Sequence, residues 1–244
     1  CGSCWAFSAV ENVESTYFIH TKAKTGATSP PLLSIEQVLE CDAYDYACYG
    51  GFPSGAFKYI TQAGGLAAES TYPYITEGKT ICLANQTFNE TCGDGICDDP
   101  PLTNWCDLTC SKAKSAQVAG KIDGWKPLPS DEAQLATFLA ANNPISVAID
   151  ASGGALGVLF PWLQFYKRGV ADPKRCHTDK ASLDHAVLLV GFGTDGGKDY
   201  WSVRNSWGAK WGEDGYFRLT RGKGACGVDT LPSTSLVNGG AVEV

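Results

Sequence analysis

Cys4 stands where a cysteine can do chemistry. A thiol attacks a carbonyl as the thiolate, and both a helix N-terminus and a nearby imidazolium favour that anion. Ala6, Val10, Val13 and Tyr17 recur at spacings of four, three and four residues, which predicts a helix with one buried face, capped by Ser3 and with Cys4 at its start. The commoner fate of a single cysteine beside Trp5 and Ala6 is a disulfide or a place in the core. A nucleophilic thiol also needs a base. The chain has three histidines, His20, His177 and His185, of which His185 lies in the apolar stretch Leu183-Asp184-His185-Ala186-Val187. A lone histidine in a strand is more often structural, and Asn205 read alone is equally a turn residue.

The elements that must position these residues fall in two groups. Ser34-Ile35-Glu36-Gln37 reads as a capping box before Val38 and Leu39, and a third short helix is predicted from Ser54 to Gln62, stopped by Gly64-Gly65. Residues 83–117 show no helical or strand period; they are polar, contain Pro100-Pro101 and four cysteines, and read as an inserted, cross-linked loop. Ser130 is the predicted cap of a further helix ending at Asn142-Asn143-Pro144. Alternation then predicts strands at Ile145 to Ile149, Ala186 to Gly193, Tyr200 to Asn205 and Tyr216 to Thr220. Helices first and antiparallel strands later imply an α+β protein of two lobes, with a cleft between lobes as the usual place for a substrate. Gly191-Phe192-Gly193-Thr194-Asp195-Gly196 spells a dinucleotide fingerprint, but a fingerprint must open a helix. The next residues, Gly197-Lys198-Asp199-Tyr200-Trp201, read as turn then strand, so a glycine-rich hairpin is expected.

The chain has 244 residues and a net charge of −7, enough length for a large core and the wrong charge for a polyanion partner. Nucleic acid is excluded as the expected substrate. Its longest apolar stretches, such as Ala186 to Val190, are far short of a membrane span. Eleven cysteines suit disulfides in an oxidising, secreted or lysosomal compartment, and their odd number leaves one over. The sequons Asn85-Gln86-Thr87 and Asn89-Glu90-Thr91 agree with a secretory route and mark Asn85 and Asn89 as glycosylation candidates. The chain opens on CGSC, without an initiator Met or signal-peptide pattern, and reads as a processed or truncated fragment.

CGSCWAFS at residues 1 to 8 matches the local signature of papain and cathepsin cysteine peptidases. Cys48-Tyr49-Gly50-Gly51 resembles that family's Cys-x-Gly-Gly element, Leu183 to Val187 its histidine strand, and Tyr200-Trp201-Ser202-Val203-Arg204-Asn205-Ser206-Trp207-Gly208 its asparagine segment, continued by Trp211-Gly212-Glu213-Asp214-Gly215-Tyr216. Four motifs in order over nearly the whole chain identify it by resemblance as a papain-like cysteine peptidase, similar to the cathepsin L and cathepsin O branch. The resemblance implies a helical left lobe at 1–117, holding the insertion at 83–117, a β-barrel right lobe at 118–236, and a tail at 237–244, with the active site in the cleft. It implies Cys4 as nucleophile, His185 as base, Asn205 as the group that orients the imidazole, and Trp207 as the indole shielding that bond. The Cys4 backbone N–H would be one oxyanion donor. The other, a glutamine a few residues upstream of the nucleophile, precedes the first residue here. Gly50 and Gly51 would pair with an extended substrate backbone. Phe52, Pro53, Ala148, Ala186 and Leu231 align with the pocket for the side chain before the scissile residue, and Asp184 joins this substrate-binding set. All five pocket residues are apolar, which implies a preference for an apolar side chain.

By the same resemblance Cys1 pairs with Cys48, Cys41 with Cys82 and Cys176 with Cys226, leaving Cys4 as the odd thiol. Cys92, Cys97, Cys106 and Cys110 are expected to form two disulfides, for which three connectivities are open; a zinc site is the sharper alternative, disfavoured because thiols in an oxidising compartment oxidise first. Asp94, Asp98 and Asp99 lack the spacing of a calcium loop. The expectation is a monomeric lysosomal, vacuolar or secreted endopeptidase without cofactor or metal, with protein and peptide substrates and with its own propeptide or cystatin-like inhibitors as partners. Two rivals stand beside it. A cathepsin B-like exopeptidase needs a blocking loop with histidines, and 83–117 has none; a catalytically inactive binding or storage relative needs no intact Cys4, His185 and Asn205.

Overall fold

The computed structural model describes residues 1–75, 116–141, 143–153 and 161–237. They fall into two units, one formed by Cys1–Lys126 with residues 235–237, the other by Pro127–Thr234. Cys82, Asn85, Asn89, Cys92, Cys97, Cys106 and Cys110 lie outside the described residues.

The first unit is built on α1, Cys4–Thr25, which ends at Gly26 in the left-handed conformation (φ 69°), a conformation that costs glycine nothing. Ala6, Val10 and Val13 are fully buried, on the face that the spacing defines. The rest of the helix is more enclosed than an amphipathic pattern requires, because its polar residues have fixed partners. Asn12 Oδ1 accepts from the Ser235 N–H at 3.1 Å and from the Ser235 hydroxyl at 2.6 Å, and Glu14 Oε1 accepts the Leu33 N–H at 2.8 Å. Ser3 occupies the N-cap position but makes no side-chain cap bond; its hydroxyl meets the Tyr74 hydroxyl at 3.0 Å instead. Helix α2, Ile35–Cys41, is capped by Ser34, whose Oγ accepts the Gln37 N–H at 2.9 Å. The reciprocal half of a capping box is missing. Gln37 Oε1 takes the Ala67 N–H at 2.8 Å, and the Ser34 N–H goes to the Ala67 carbonyl at 2.9 Å. Helix α3, Pro53–Ala63, starts with proline at its first position and stops at Gly64 (φ 76°), in accord with proline's missing donor and glycine's freedom. A short antiparallel pair, β1 (Leu66–Ala67) with β2 (Val118–Gly120), completes the unit with β3 (Gly124–Pro127).

The second unit holds α4, Glu132–Ala141, the strands β4 (Ile145–Ile149), β5 (Val170–Ala171), β6 (His185–Asp195), β7 (Lys198–Arg204) and β8 (Tyr216–Thr220), and the first half of β9, Ser233–Leu236. Within this unit the strands run in the order β9-β4-β6-β7-β8-β5, antiparallel except where β5 joins β8. The cap of α4 is Asp131 rather than Ser130: its Oδ1 accepts the N–H groups of Ala133 at 2.8 Å and Gln134 at 3.0 Å. Strands β6 and β7 form a hairpin closed by Asp195 opposite Lys198. Its two central residues, Gly196 (φ 55°) and Gly197 (φ 76°), both have the positive φ that a type I′ turn demands. The Gly191 to Gly196 run is thus strand and turn, with no helix to receive a pyrophosphate. The core under the sheet gathers Leu135, Val147, Leu163, Leu189, Trp201 and Phe217, among others. No helix among the described residues is long and apolar enough to cross a membrane.

Candidate active site

In the first unit Cys4 is the first residue of α1, partly exposed and outside any disulfide, so the positive end of the helix dipole acts on its sulfur. Three links tie this helix start to the segment 47–50. Cys1 is disulfide-bonded to Cys48. The Gly2 N–H donates to the Cys48 carbonyl at 2.8 Å, an approach only glycine allows, since a Cβ there would lie 2.7 Å from that oxygen. The Trp5 indole N–H donates to the Ala47 carbonyl at 3.1 Å.

The chain then runs through Gly50, at φ 118° and ψ 179°, where a Cβ would meet open space but a strained backbone. Its carbonyl accepts the Tyr46 N–H at 3.0 Å. Gly51 comes next, and neither its N–H nor its carbonyl is engaged by any described residue, although the Phe52 N–H beyond it donates to Asp45 Oδ1 at 2.7 Å. A glycine with a donor and an acceptor unused by the described residues, held between two bonded neighbours, is a short edge that an extended chain can pair with. Phe52 is the N-cap of α3 and Pro53 its buried first residue.

In the second unit the β6–β7 hairpin brings together residues twenty apart: His185 opens β6 and Asn205 comes directly after β7. His185 Nε2 lies 2.8 Å from Asn205 Oδ1, and both residues are buried. The orientation of the amide is set by a second bond, since the Ser206 backbone N–H reaches the same Asn205 atom at 2.9 Å. A backbone N–H can only donate, so that atom is the oxygen, and an oxygen facing His185 requires the proton on Nε2. In the neutral ring Nδ1 is then the basic nitrogen. The Trp207 ring lies against the imidazole, centroids 5.1 Å apart and tilted by 31°, and Trp211 packs edge-on against Trp207 at 5.1 Å.

Ala148 and Ala186 face each other across β4 and β6, each 6% exposed. Asp184 accepts the Ala151 N–H on Oδ1 at 2.7 Å, which fixes the residue before His185. Leu231 is half-buried. Cys176 pairs with Cys226, and Cys41 is disulfide-bonded. His20 lies on α1 and His177 is exposed. Among the described residues no group of His, Cys, Asp and Glu is arranged to hold a metal.

Sequence reasoning missed the buried carboxylates that brace these halves. Asp150, fully buried, accepts the N–H groups of His177 and Gly153, both at 2.7 Å, the Ser152 hydroxyl, and His177 Nδ1 at 3.1 Å. Burial acts to raise its carboxyl, but these donors outweigh it and hold it below the usual range. Glu132 receives the Trp201 indole N–H at 2.6 Å, the Gly222 N–H at 2.9 Å, and the Gly224 N–H. Asp45 is the third. Most of their partners lie far off in sequence, and no local signal marks them.

Comparison with known proteins agrees with this geometry. Residues 1–236 match the family model described as papain family cysteine protease. The chain is 38% identical over 238 residues to mouse cathepsin F, covering 98% of this chain and 42% of the relative. It is 37% identical over 238 residues to the Arabidopsis thaliana probable cysteine protease RD21C, covering 96% of this chain and 43% of the relative. The chain therefore spans under half the length of these curated relatives. Among solved structures, the bromelain protease of Ananas comosus, in complex with the E64 inhibitor, superposes with a TM-score of 0.70 at 32% identity, over 98% of this chain and 90% of that one.

Proposed function

The chain belongs to the papain family of cysteine proteases, and we propose that it is an endopeptidase that cleaves peptide bonds through a thioester on Cys4. The observation that carries this reading is the bond from His185 Nε2–H to Asn205 Oδ1, which reserves Nδ1 for the thiol's proton. In the proposed cycle His185 Nδ1 takes the proton of Cys4, the thiolate adds to the scissile carbonyl, and the oxyanion is stabilised by the Cys4 N–H at the helix start. The imidazolium then protonates the leaving amine, and the neutral ring draws a proton from the water that hydrolyses the thioester. Asn205 holds the ring through all three proton transfers, and Trp207 covers the bond that does so.

The substrate is read as an extended peptide paired with Gly51 and carrying an apolar side chain before the scissile residue, the preference implied by resemblance at Phe52, Pro53, Ala148, Ala186 and Leu231. An endopeptidase is favoured over an exopeptidase because the inserted segment offers no histidine to a chain terminus. The disulfides Cys1–Cys48 and Cys176–Cys226 favour a lysosomal, vacuolar or secreted setting. The test is mass mapping of iodoacetamide adducts without prior reduction, with peptide hydrolysis measured alongside. Adduct at Cys4, loss of hydrolysis in step with it, and an inactive Cys4→Ala variant are expected. Undiminished hydrolysis by Cys4→Ala would remove the nucleophile and the reading with it.

A further inference from the structure

Asp45 touches the substrate-pairing glycine from beneath. It is 7% exposed, and its Oδ1 accepts the Phe52 N–H at 2.7 Å. A Cβ on Gly51 would lie 2.6 Å from both its Cβ and its Oδ1, and a Cβ on Gly55 would lie 2.1 Å from its Oδ2. The two glycines are thus the space in which this carboxyl fits. Its neighbour is a second carboxyl. Asp42 closes α2, its Oδ1 accepting the Tyr44 N–H at 2.7 Å, and the two acids act on each other through their side chains. Asp42 Oδ2 and Asp45 Oδ2 are both buried, and neither meets an N–H or an alcohol donor among the described residues. Two ionised carboxylates repel at such a contact, whereas one proton turns it into an O–H···O bond.

We propose that Asp45 is a positioning residue for substrate, which holds Gly50, Gly51 and Phe52 in the extended form needed for backbone pairing by bonding Phe52 with one oxygen and Asp42 with the other. This rests on the reading of Gly51 as the residue that pairs with substrate. One proton is shared between the two acids. Burial, and then the adjacent negative charge of Asp42, push its carboxyl well above the ordinary range. Asp42 is raised by burial to about 6, against the opposing effects of Asp45, the Tyr44 N–H and the positive charge of Lys58. Among the described residues, Lys58, on α3, lies over the Tyr44 ring at 4.3 Å and its charge acts on Asp42, and Tyr59, also on α3, feels the Asp42 charge. With that proton on Asp45, its Oδ2–H can donate to Asp42 while Oδ1 accepts from Phe52. Because the 47–50 segment is tied to the start of α1 through Cys48 and Ala47, whatever fixes Phe52 also fixes Gly51 relative to Cys4.

This arrangement has a neutral mimic. In Asp45→Asn the amide N–H replaces the acid O–H toward Asp42, and the amide oxygen still accepts from Phe52. The experiment compares wild type, Asp45→Asn and Asp45→Ala in the full-length activated enzyme, on a peptide reaching several residues before the scissile bond and on a minimal ester that does not reach Gly51. Asp45→Ala is expected to raise KM for the long peptide about tenfold, to change kcat less than about threefold, and to leave the ester almost unaffected, the pattern of lost uniform binding. Asp45→Asn is expected to restore KM to within about twofold. Amide exchange at Phe52, read by NMR, provides a measure independent of catalysis: protected in wild type and Asp45→Asn, unprotected in Asp45→Ala. The proposal falls if Asp45→Ala keeps the wild-type KM, or if Asp45→Asn is as impaired as Asp45→Ala. It also falls if Asp45→Ala fails to fold and Asp45→Asn leaves Phe52 unprotected. If no hydrolysis depends on Cys4, the protease reading fails on its own, and Phe52 exchange still decides whether Asp45 holds the segment.

Discussion

One oxygen of Asn205 answers two donors, His185 Nε2–H at 2.8 Å and the Ser206 N–H at 2.9 Å. The backbone donor fixes the amide, and the amide fixes the tautomer of the ring. Asn205→Ala removes the acceptor without adding bulk, so kcat/KM is expected to fall about ten- to hundredfold, mostly in kcat, because the imidazole can turn and lose its aim. Asn205→Asp keeps the acceptor and adds a charge that favours the imidazolium, which would move the basic limb of the pH–rate profile upward. Rate profiles of both variants check this; an unchanged kcat in Asn205→Ala would show that the ring is aimed by other contacts.

Glu132 closes the β8 end of its unit by accepting from the Trp201 indole and from the N–H groups of Gly222 and Gly224. Removing a charged acceptor from three donors in a buried place costs about 3 to 5 kcal/mol. Glu132→Ala is therefore expected to lower Tm by about 6 °C or more. Glu132→Gln, which turns an N–H toward one of those donors, should fall between. Thermal unfolding followed by circular dichroism measures both, and a Tm within about 1 °C of wild type in Glu132→Ala would contradict the account.

Local signals told much of the fold and little of its bracing. Ser34 as an N-cap, the glycine stop of α3 and the Gly196-Gly197 hairpin are legible because turn and cap chemistry depends on neighbours. Ser3 and Ser130 are misread by the same rule. Ser3 finds its partner in Tyr74, seventy-one residues away, and Asp131 displaces Ser130 by being one residue nearer the first free amides of α4. The candidate site is legible as motifs, since Cys4, His185 and Asn205 sit in distinctive strings. Asp45, Asp150 and Glu132 are not, because a buried carboxylate is explained only by donors that the fold brings to it.

The carboxyl pair gives the first unit a pH dependence of definite sign. Asp42 and Asp45 bind protons more tightly folded than unfolded, so their contribution is fully present below the unfolded value of 3.8 and is lost as pH rises, through about 6 for Asp42. For Asp42 alone the loss is on the order of 3 kcal/mol. Asp150 works the other way: its lowered carboxyl contributes above 3.8 and fails only as pH falls below that value. Urea midpoints between about pH 4 and 8 are expected to decline in wild type and to decline less in Asp45→Asn, which has one proton fewer to release. Equal slopes in the two proteins would place the pH dependence elsewhere.

Leu231 carries the specificity prediction. Ala148 and Ala186 are small and nearly buried, and Leu231 is half-buried, so a charged side chain brought among them loses hydration and finds no partner. Leu or Val before the scissile residue is therefore expected to be preferred over Arg, and Phe to be less favoured than where a smaller residue replaces Leu231. A methylene in such a pocket is worth about 1–3 kcal/mol, so the preference should be graded across aliphatic side chains. Leu231→Glu supplies the missing partner and should raise kcat/KM for Arg peptides while lowering it for Leu peptides. The measurement is a set of fluorogenic peptides varied only at that position, run on both proteins. If wild type cleaves Arg peptides best, or if Leu231→Glu gains nothing on them, Leu231 serves packing alone and the specificity must be set by other residues.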